Sequence, residues 1–306
     1  MKTKRQLGIC DSRLASSILG DFLILLEELQ INSAIRQIEA PTDIAILGDN
    51  PGSDFLAMAK GFNGVGEIFV LASYRELEAL MAESVYEYTP WPGLGPEGVS
   101  GYQYGYTLFI QDYFGKTGAI PSLALKPEYR TWACDWLREQ AGSVNTIAVH
   151  LKNKIRPSGK PDWYNARLDE WETFFRTIRG RYDVKFILVG NERVPDGIRN
   201  LENIIVTHEC GGTILKDLAL IENTQAFMGV ASGPCQMAMF GRRPYVIFKN
   251  PERHVDRMFE ELGNRNQYVF AAPTQRFLRR FETSATLLEE FEAVYAGIET
   301  TVTQGN

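Results

Sequence analysis

Four basic side chains lie close together directly after an apolar stretch, residues 146–151, that predicts a β-strand. Lysine and arginine neutralise phosphate charge and donate hydrogen bonds to phosphate oxygens. We therefore expect the loop to bind an anion such as a diphosphate, with a solvated surface loop as the alternative. Its basic residues are Lys152, Lys154, Arg156 and Lys160.

A turn of small residues, Ala-Ser-Gly-Pro at 231–234, is the second candidate for an anion site. It lies between a predicted strand at 226–230 and a short predicted helix at 235–240. The first N–H groups of a helix have no partner within the helix, and they suit a phosphate. We expect contacts to the ligand from Ser232, Gly233, Pro234 and Gln236. A plain packing corner is the alternative, because no glycine fingerprint of a dinucleotide site is present.

Ligands of open parallel sheets bind beyond the carboxyl ends of the strands. Gly190 and His208 each follow a predicted strand, so both are predicted to lie beside the same ligand. His150 lies inside an apolar strand and is interpreted as a buried, hydrogen-bonded core histidine rather than as a base.

The first strand, residues 7–10, ends at a second polar group. Asp11 and Arg13 follow this strand directly, and Asp21 lies near the start of the next predicted helix. Either aspartate is a candidate general base. The alternative for Asp21 is that it only complements the positive end of the helix.

Several common chemistries are absent from the sequence. It contains no HExxH, P-loop or GxSxG motif, and its three histidines are scattered. No Asp-x-Asp pair occurs, so we expect a reaction that needs no metal. The four cysteines are far apart, which indicates reduced thiols rather than a disulfide framework or a zinc site.

The composition, 44% hydrophobic and 23% charged, is that of a folded soluble protein rather than a disordered one, and 306 residues suffice for one large domain or two of ordinary size. The net charge of −6 argues against a general nucleic-acid binder. No apolar run approaches the roughly 20 residues that a transmembrane helix needs. A cytoplasmic location is therefore expected, and peripheral contact with the inner face of the membrane stays open.

Strands and helices alternate twice along the chain, which predicts an α/β fold with two Rossmann-like parallel-sheet halves facing across a cleft. We predict an N-terminal Rossmann-like domain at 1–142 and a second Rossmann-like domain at 143–278. Residues 279–306 form a C-terminal helix and tail, with packing on the N-terminal domain as an option. The irregular segment 86–127 is rich in aromatic residues, and Trp91 and Tyr104 are predicted with Arg13 to bind the acceptor.

Three of these patches together resemble the GT-B glycosyltransferases, and most of all the bacterial lipopolysaccharide heptosyltransferases and related surface-polysaccharide enzymes. They are Gly20-Asp21, the basic residues 152–154 and the turn at 231–236. The resemblance implies that Asp21 is the catalytic base, that the basic loop holds the donor diphosphate and that the turn lies beneath the donor. The family usually has aspartate, glycine and histidine in this turn, where this sequence has Ala231, Gly233 and Gln236. The identity of the donor therefore stays open.

The function predicted in this way is an inverting, metal-independent transfer of a sugar from a nucleotide diphosphate donor to a hydroxyl of a glycan or glycolipid. No cofactor is expected beside the donor substrate. Two alternatives remain: a non-catalytic protein of the same fold that binds a sugar nucleotide or a glycan, and a sugar-nucleotide epimerase.

Overall fold

The chain forms two compact units, Met1–Lys126 and Pro127–Asn306. The computed structural model describes residues 4–11, 19–48, 53–82, 85–91 and 107–304. The division comes before the predicted boundary near residue 142, because helix α5 (Pro127–Ala141) packs on a helix of the second unit. Arg130 of α5 forms a 3.3 Å ion pair there with Glu222.

Unit 1 contains a four-stranded parallel sheet in the order β3-β2-β1-β4. Its strands are β1 (Arg5–Asp11), β2 (Thr42–Leu47), β3 (Val65–Leu71) and β4 (Tyr86–Trp91). Its helices are α1 (Leu19–Ile35), α2 (Ser53–Gly61), α3 (Tyr74–Met81) and α4 (Leu108–Thr117). The sequence analysis placed β4 in an irregular segment, and the structure corrects this. The strand contains Pro90, which β4 accommodates because it lies at an edge of the sheet.

Helix α1 is buried around almost its whole circumference. Its apolar residues pack in the core of unit 1, as do two glutamates in the middle of the helix, Glu27 and Glu28. Neither carboxylate oxygen of Glu27 has a hydrogen-bond partner among the residues that the structure describes. Burial raises the pKa of Glu27 to about 9 and that of Glu28 to about 8.

Unit 2 contains a six-stranded parallel sheet in the order β10-β9-β8-β5-β6-β7. Its strands are β5 (Asn145–His150), β6 (Val184–Leu188), β7 (Ile204–Val206), β8 (Ala226–Val230), β9 (Tyr245–Phe248) and β10 (Gln275–Leu278). Its other helices are α6 (Leu168–Ile178), α7 (Asp196–Arg199), α8 (Ile214–Asn223), α9 (Cys235–Met239), α10 (Val255–Leu262) and α11 (Ser284–Gln304). A single turn of 3₁₀ helix spans Thr207–Cys210. The sequence analysis did not identify β10, α7, α10 or the 3₁₀ turn.

The core of unit 2 is a cluster of aromatic rings between the sheet and helices α6 and α11. Phe174 of α6 contacts Phe186 of β6 and Phe291 of α11, with ring centres 5.6 and 5.7 Å apart. This packing places the last helix in unit 2, where the sequence analysis left open that it packs on the N-terminal half.

The strand order fixes where a ligand site is expected in unit 2. The chain proceeds from β5 to β6 and β7 on one side, and β8 then pairs on the other side of β5. Such a reversal leaves a crevice at the carboxyl ends of the two central strands. His150 ends β5 and pairs in register with Gly229 of β8. A Cβ atom on Gly229 would lie 2.6 Å from the carbonyl oxygen of His150, so the approach of these strands requires glycine.

Candidate functional site

A hydrogen-bonded network joins the carboxyl ends of β5, β6 and β8. The buried ring of His150 lies between two partners, with Nε2 at 3.2 Å from Glu192 Oε2 and Nδ1 at 2.8 Å from Ser232 Oγ. The Ser232 hydroxyl also lies 3.0 Å from the carbonyl oxygen of Val230. Both ring nitrogens therefore have partners, in agreement with the interpretation of His150 as a satisfied buried histidine.

The carboxylate of Glu192 determines which ring nitrogen carries a proton. Burial raises the pKa of Glu192, but the hydrogen bond and charge of His150 and the charge of Lys154 outweigh it, so the pKa lies below its ordinary value. An ionised carboxylate only accepts hydrogen bonds. His150 Nε2 therefore donates to Glu192, and the ring is fixed between β6 and β8.

Gly190 lies under this network and has a second set of partners. Its backbone has φ +106°, and a Cβ atom would lie 2.4 Å from Glu192 Oε2, so no side chain fits. Its N–H donates to Asp217 Oδ2 at 3.0 Å, and the Thr207 hydroxyl donates to Asp217 Oδ1 at 2.7 Å. Burial raises the pKa of Asp217 above its ordinary value, although both hydrogen bonds lower it.

A pocket of cations and aromatic rings opens beside the network, at the ends of β8 and β9. It is small, with a cavity volume of about 20 Å³, room for about one water molecule, and it opens to solvent. Its walls include Tyr164, Ala231, Lys249 and Glu282. The ammonium groups of Lys152 and Lys249 each lie 4.8 Å from the centre of the Tyr164 ring.

Trp163 forms the outer part of the pocket wall. Its side chain is 47% exposed, and two guanidinium groups lie on its ring, Arg156 at 3.9 Å and Arg253 at 4.1 Å from the ring centre. Cations over an indole face gain electrostatic attraction to the ring. The loop after β5 and the segment before α10 are therefore joined into one positively charged surface.

His254 holds the segment before α10 in an uncommon conformation. Its backbone is left-handed, with φ 53° and ψ 41°, and a residue other than glycine adopts this only at a cost. Its Nε2 lies 2.8 Å from the Tyr164 hydroxyl. The strained backbone thus comes with a contact to the ring that carries the two ammonium groups. Burial and the charges of neighbouring cations lower the pKa of His254.

The predicted donor residues of unit 2 fall into two groups. Lys152, Gly190 and Ser232 belong to the network and pocket. Lys154 is exposed, but its backbone N–H and C=O are both bonded to the side chain of Asn165, which fixes the loop. His208 is exposed on the 3₁₀ turn and is not part of this network.

The turn after β8 differs in detail from a simple anion cradle. The N–H of Ser232 points to the Cys235 sulfur at 3.5 Å, and the Cys235 thiol donates back to the Ser232 carbonyl at 2.8 Å. Gly233 and Pro234 complete the turn into α9, which has only five residues. Gln236 Oε1 is buried without a hydrogen-bond partner.

Two of the predicted residues of unit 1, Asp11 and Asp21, lie among the described residues with their side chains. Asp11 is the last residue of β1, is buried, and accepts a 2.6 Å hydrogen bond from the Tyr74 hydroxyl. Asp21 lies in the first turn of α1 and is also buried. Arg13 and Tyr104 lie outside the described residues. The backbone of Trp91 ends β4 and pairs with Cys10, but its side chain is not among those described.

Sequence reasoning missed Tyr164, Lys249 and His254. A single lysine after an apolar strand carries no signal of its own, and the ring that joins Lys249 to Lys152 is distant from Lys249 in sequence. Lys249 follows β9 directly, so the rule that ligands bind beyond the carboxyl ends of parallel strands could have selected it from the sequence.

The fold is similar to those of known glycosyltransferase structures. ADP-heptose lipopolysaccharide heptosyltransferase II of E. coli aligns with 13% identity over 96% of this chain and 99% of its own, with a TM-score of 0.63. A glycosyl transferase of family 9 from Veillonella parvula aligns with 12% identity over 82% of each chain, with a TM-score of 0.52. E. coli heptosyltransferase WaaC with ADP aligns with 12% identity over 95% and 99% of the two chains, with a TM-score of 0.51. Neither the models of protein families nor the curated proteins give a match to the sequence.

These similarities confirm the predicted α/β fold with two parallel-sheet halves of the GT-B type, and the remote resemblance to heptosyltransferases on which that prediction depended. At such low identity they concern the fold alone. In the described part of the chain, no three His, Cys, Asp or Glu side chains are placed to hold a metal ion. None of the described helices is long and apolar enough to cross a membrane.

Proposed function

We propose that this chain is a glycosyltransferase that moves a sugar from a nucleotide diphosphate donor to an acceptor hydroxyl. The observation that carries the proposal is the group of cations and aromatic rings beside the switch point of the unit 2 sheet, around the pocket at the ends of β8 and β9. Crevices of this type bind nucleotides in parallel α/β sheets. The GT-B fold supports the same conclusion, since the structures with a similar fold are named as glycosyltransferases.

In this proposal the donor diphosphate binds at the loop after β5. The Lys152 ammonium lies over the Tyr164 ring of the pocket wall and pairs with Asp162 at 3.4 Å, an acidic partner that a phosphate can replace. Lys154 is exposed on the same loop. Cations placed where negative charge develops stabilise a departing diphosphate without a metal ion.

The acceptor proton goes to a carboxylate of unit 1. As the acceptor oxygen bonds to the anomeric carbon from the side opposite the diphosphate, the bond from that carbon to the phosphate oxygen breaks, and the configuration inverts. Asp21 is our first candidate for the base, and Asp11 is the second. Asp11 comes second because its Oδ2 already accepts a hydrogen bond from the Tyr74 hydroxyl.

Two substitutions separate the candidates. If Asp21 is the base, Asp21→Asn abolishes sugar transfer and leaves the dissociation constant of the donor unchanged, whereas Asp11→Asn keeps substantial activity. The reverse pattern assigns the role to Asp11. Full activity in both variants would refute a carboxylate base from this region.

A second candidate function is non-catalytic binding of a sugar nucleotide. The observation that favours it is the turn after β8, where the Ser232 N–H points to a thiol and Gln236 Oε1 has no partner. Calorimetry and a nucleotide-release assay distinguish the two functions: donor binding with no release of nucleotide for any acceptor would support this candidate. Conversion of a donor to its epimer without an acceptor would instead identify an epimerase.

We also propose that the reaction belongs to surface glycan synthesis at the cytoplasmic face of a membrane. Support comes from the names of the structures with the same fold, two of which are heptosyltransferases and one of which names lipopolysaccharide. Cell fractionation tests the location, and transfer to a glycolipid compared with a free oligosaccharide tests the acceptor.

A further inference from the structure

Lys249 is a buried cation without a counter-ion. It follows β9 directly, and only 9% of the residue is exposed. In the described part of the chain, no carboxylate forms an ion pair with its ammonium, and its one recorded side-chain contact is the Tyr164 ring at 4.8 Å. Burying a charge without a partner is costly, so this arrangement requires an explanation.

The charges around Lys249 increase that cost. Two further cations act on it, Arg257 of α10 and Lys152 of the loop after β5. Each of those has an acidic neighbour of its own: Arg257 Nε lies 3.3 Å from Glu261, and Lys152 Nζ lies 3.4 Å from Asp162. The Glu261 carboxylate acts on Lys249 in the opposite direction, but it is paired with Arg257, so Lys249 shares this negative charge with another cation.

The pocket wall shows where a neutralising group would enter. Lys249 lines the opening at the ends of β8 and β9, together with Tyr164 and Ala231. The carboxylate of Glu282 is also in this wall, but it is held in place by the N–H of Arg167 at 2.7 Å, and burial raises its pKa. An anionic ligand in the opening would meet the Lys249 ammonium, and a second ammonium, that of Lys152, lies on the same Tyr164 ring.

We propose that Lys249 is a specificity-determining residue that binds a phosphate of the donor and, with Lys152, selects a diphosphate over a monophosphate. This inference rests on the proposed function, because it assigns the ligand of the same pocket. Two cations on one ring match a ligand that carries two adjacent anionic groups. A monophosphate engages only one of them fully and gains less.

The test compares affinity with stability, because the two are expected to change in opposite directions. Lys249→Met keeps the length and apolar stem of the side chain and removes the charge. We expect affinity for inorganic pyrophosphate to fall about 10- to 100-fold, the loss of one strong charge-assisted hydrogen bond. Affinity for inorganic phosphate falls less, so the ratio between the two ligands decreases. Without ligand, the melting temperature rises or stays the same, because an unpaired buried charge has been removed.

Lys216→Met is the matched control. Lys216 also has its ammonium over an aromatic ring, at 4.9 Å from Trp132, but on α8. We expect it to change neither the pyrophosphate affinity nor the ratio. A structural lysine would lose stability and affinity together when replaced.

Three results would show that Lys249 does not bind a phosphate, whether or not the chain is a glycosyltransferase. An unchanged pyrophosphate to phosphate ratio in Lys249→Met, a wild-type protein that does not bind pyrophosphate, or a Lys249→Met protein that is clearly less stable would each overturn the assignment of Lys249. Sugar transfer by the wild-type protein is measured independently. If the protein transfers no sugar but still binds pyrophosphate in a way that depends on Lys249, the proposed glycosyltransferase function is refuted and the assignment of Lys249 to an anion site is kept.

Discussion

Replacing Glu27 by glutamine should stabilise unit 1, and more so as the pH rises. The side chain is fully buried in α1, and neither of its oxygens has a hydrogen-bond partner. Its pKa is raised by burial to about 9 from an ordinary value of 4.5. Glutamine keeps the shape of the side chain and cannot ionise, so the substitution isolates the cost of the charge.

The free energy of unfolding depends on pH because the folded and the unfolded chain hold the proton of Glu27 with different pKa values. Below pH 4.5 the carboxyl is protonated in both the folded and the unfolded chain and contributes nothing. Above that pH the unfolded chain releases the proton first, so the free energy of unfolding falls until the pH reaches about 9, where the folded chain releases it as well. Each pH unit in this window costs about 1.4 kcal/mol, so the gain from Glu27→Gln is about 0.7 kcal/mol at pH 5 and about 3 kcal/mol at pH 7.

Urea unfolding of both proteins at pH 5 and pH 7 measures these gains. Glu78→Gln is the control, because Glu78 is exposed on α3 of the same unit and should give no gain that depends on pH. A gain of equal size at both pH values, or no gain at pH 7, would show that Glu27 finds a partner in solution and would refute the reasoning.

Three further predictions concern unit 2. Affinity for a nucleoside diphosphate should decrease as the pH rises above about 8. Burial and the charges of Arg257 and Lys152 lower the pKa of Lys249 to about 8, so its ammonium loses its proton in this range. In Lys249→Met the affinity, measured by calorimetry, should not change from pH 7 to 9. Glu192→Gln should weaken donor binding and lower the melting temperature by a few degrees. The His150 ring loses a charged hydrogen-bond acceptor, a contact worth about 1.5–3 kcal/mol. An unchanged melting temperature would contradict the role of Glu192 in holding the ring. Gly229→Ala should destabilise unit 2 by more than about 1 kcal/mol in urea unfolding, because the added Cβ atom would lie 2.6 Å from a backbone oxygen of β5; a neutral effect would show that the strands can separate.

The strands that were predicted correctly are short, continuous apolar runs. β8 matches its predicted bounds, 226–230, because buried parallel strands are apolar on both faces. β4 and β10 carry no such signal. β4 contains a proline, and β10 begins with Gln275, whose side chain donates to the carbonyl oxygens of Gly241 and Arg243. A strand whose polar side chains bond to distant residues lacks the apolar pattern by which strands are predicted from sequence.

Helix α10 was missed for a related reason. Helix starts are identified by Ser, Thr, Asp or Asn at the N-cap, whereas α10 begins after His254, which makes no capping hydrogen bond. Its conformation comes with a contact to Tyr164, a residue 90 positions earlier in the chain. Only the folded structure shows this contact.

The candidate site could be predicted as a location but not as a set of contacts. The strand-end rule identified Lys152, Gly190 and Ser232 from sequence, because it depends only on where strands end. The partners of these residues depend on how separate loops meet. For this reason the role of Glu192 in holding His150, and the second ammonium on the Tyr164 ring, appear only in the structure.

The most direct test of the central claim is the binding of nucleotide diphosphate sugars to the wild-type chain and to Lys152→Met. Ligand binding raises the melting temperature by an amount set by ligand concentration over the dissociation constant, so a panel of donors can be screened by thermal shift and the best donor measured by calorimetry. We expect at least one donor to bind, and we expect Lys152→Met to reduce the affinity for that donor by about tenfold or more. No binding by any donor, or equal binding by Lys152→Met, would contradict a donor site at the carboxyl ends of β5 and β8.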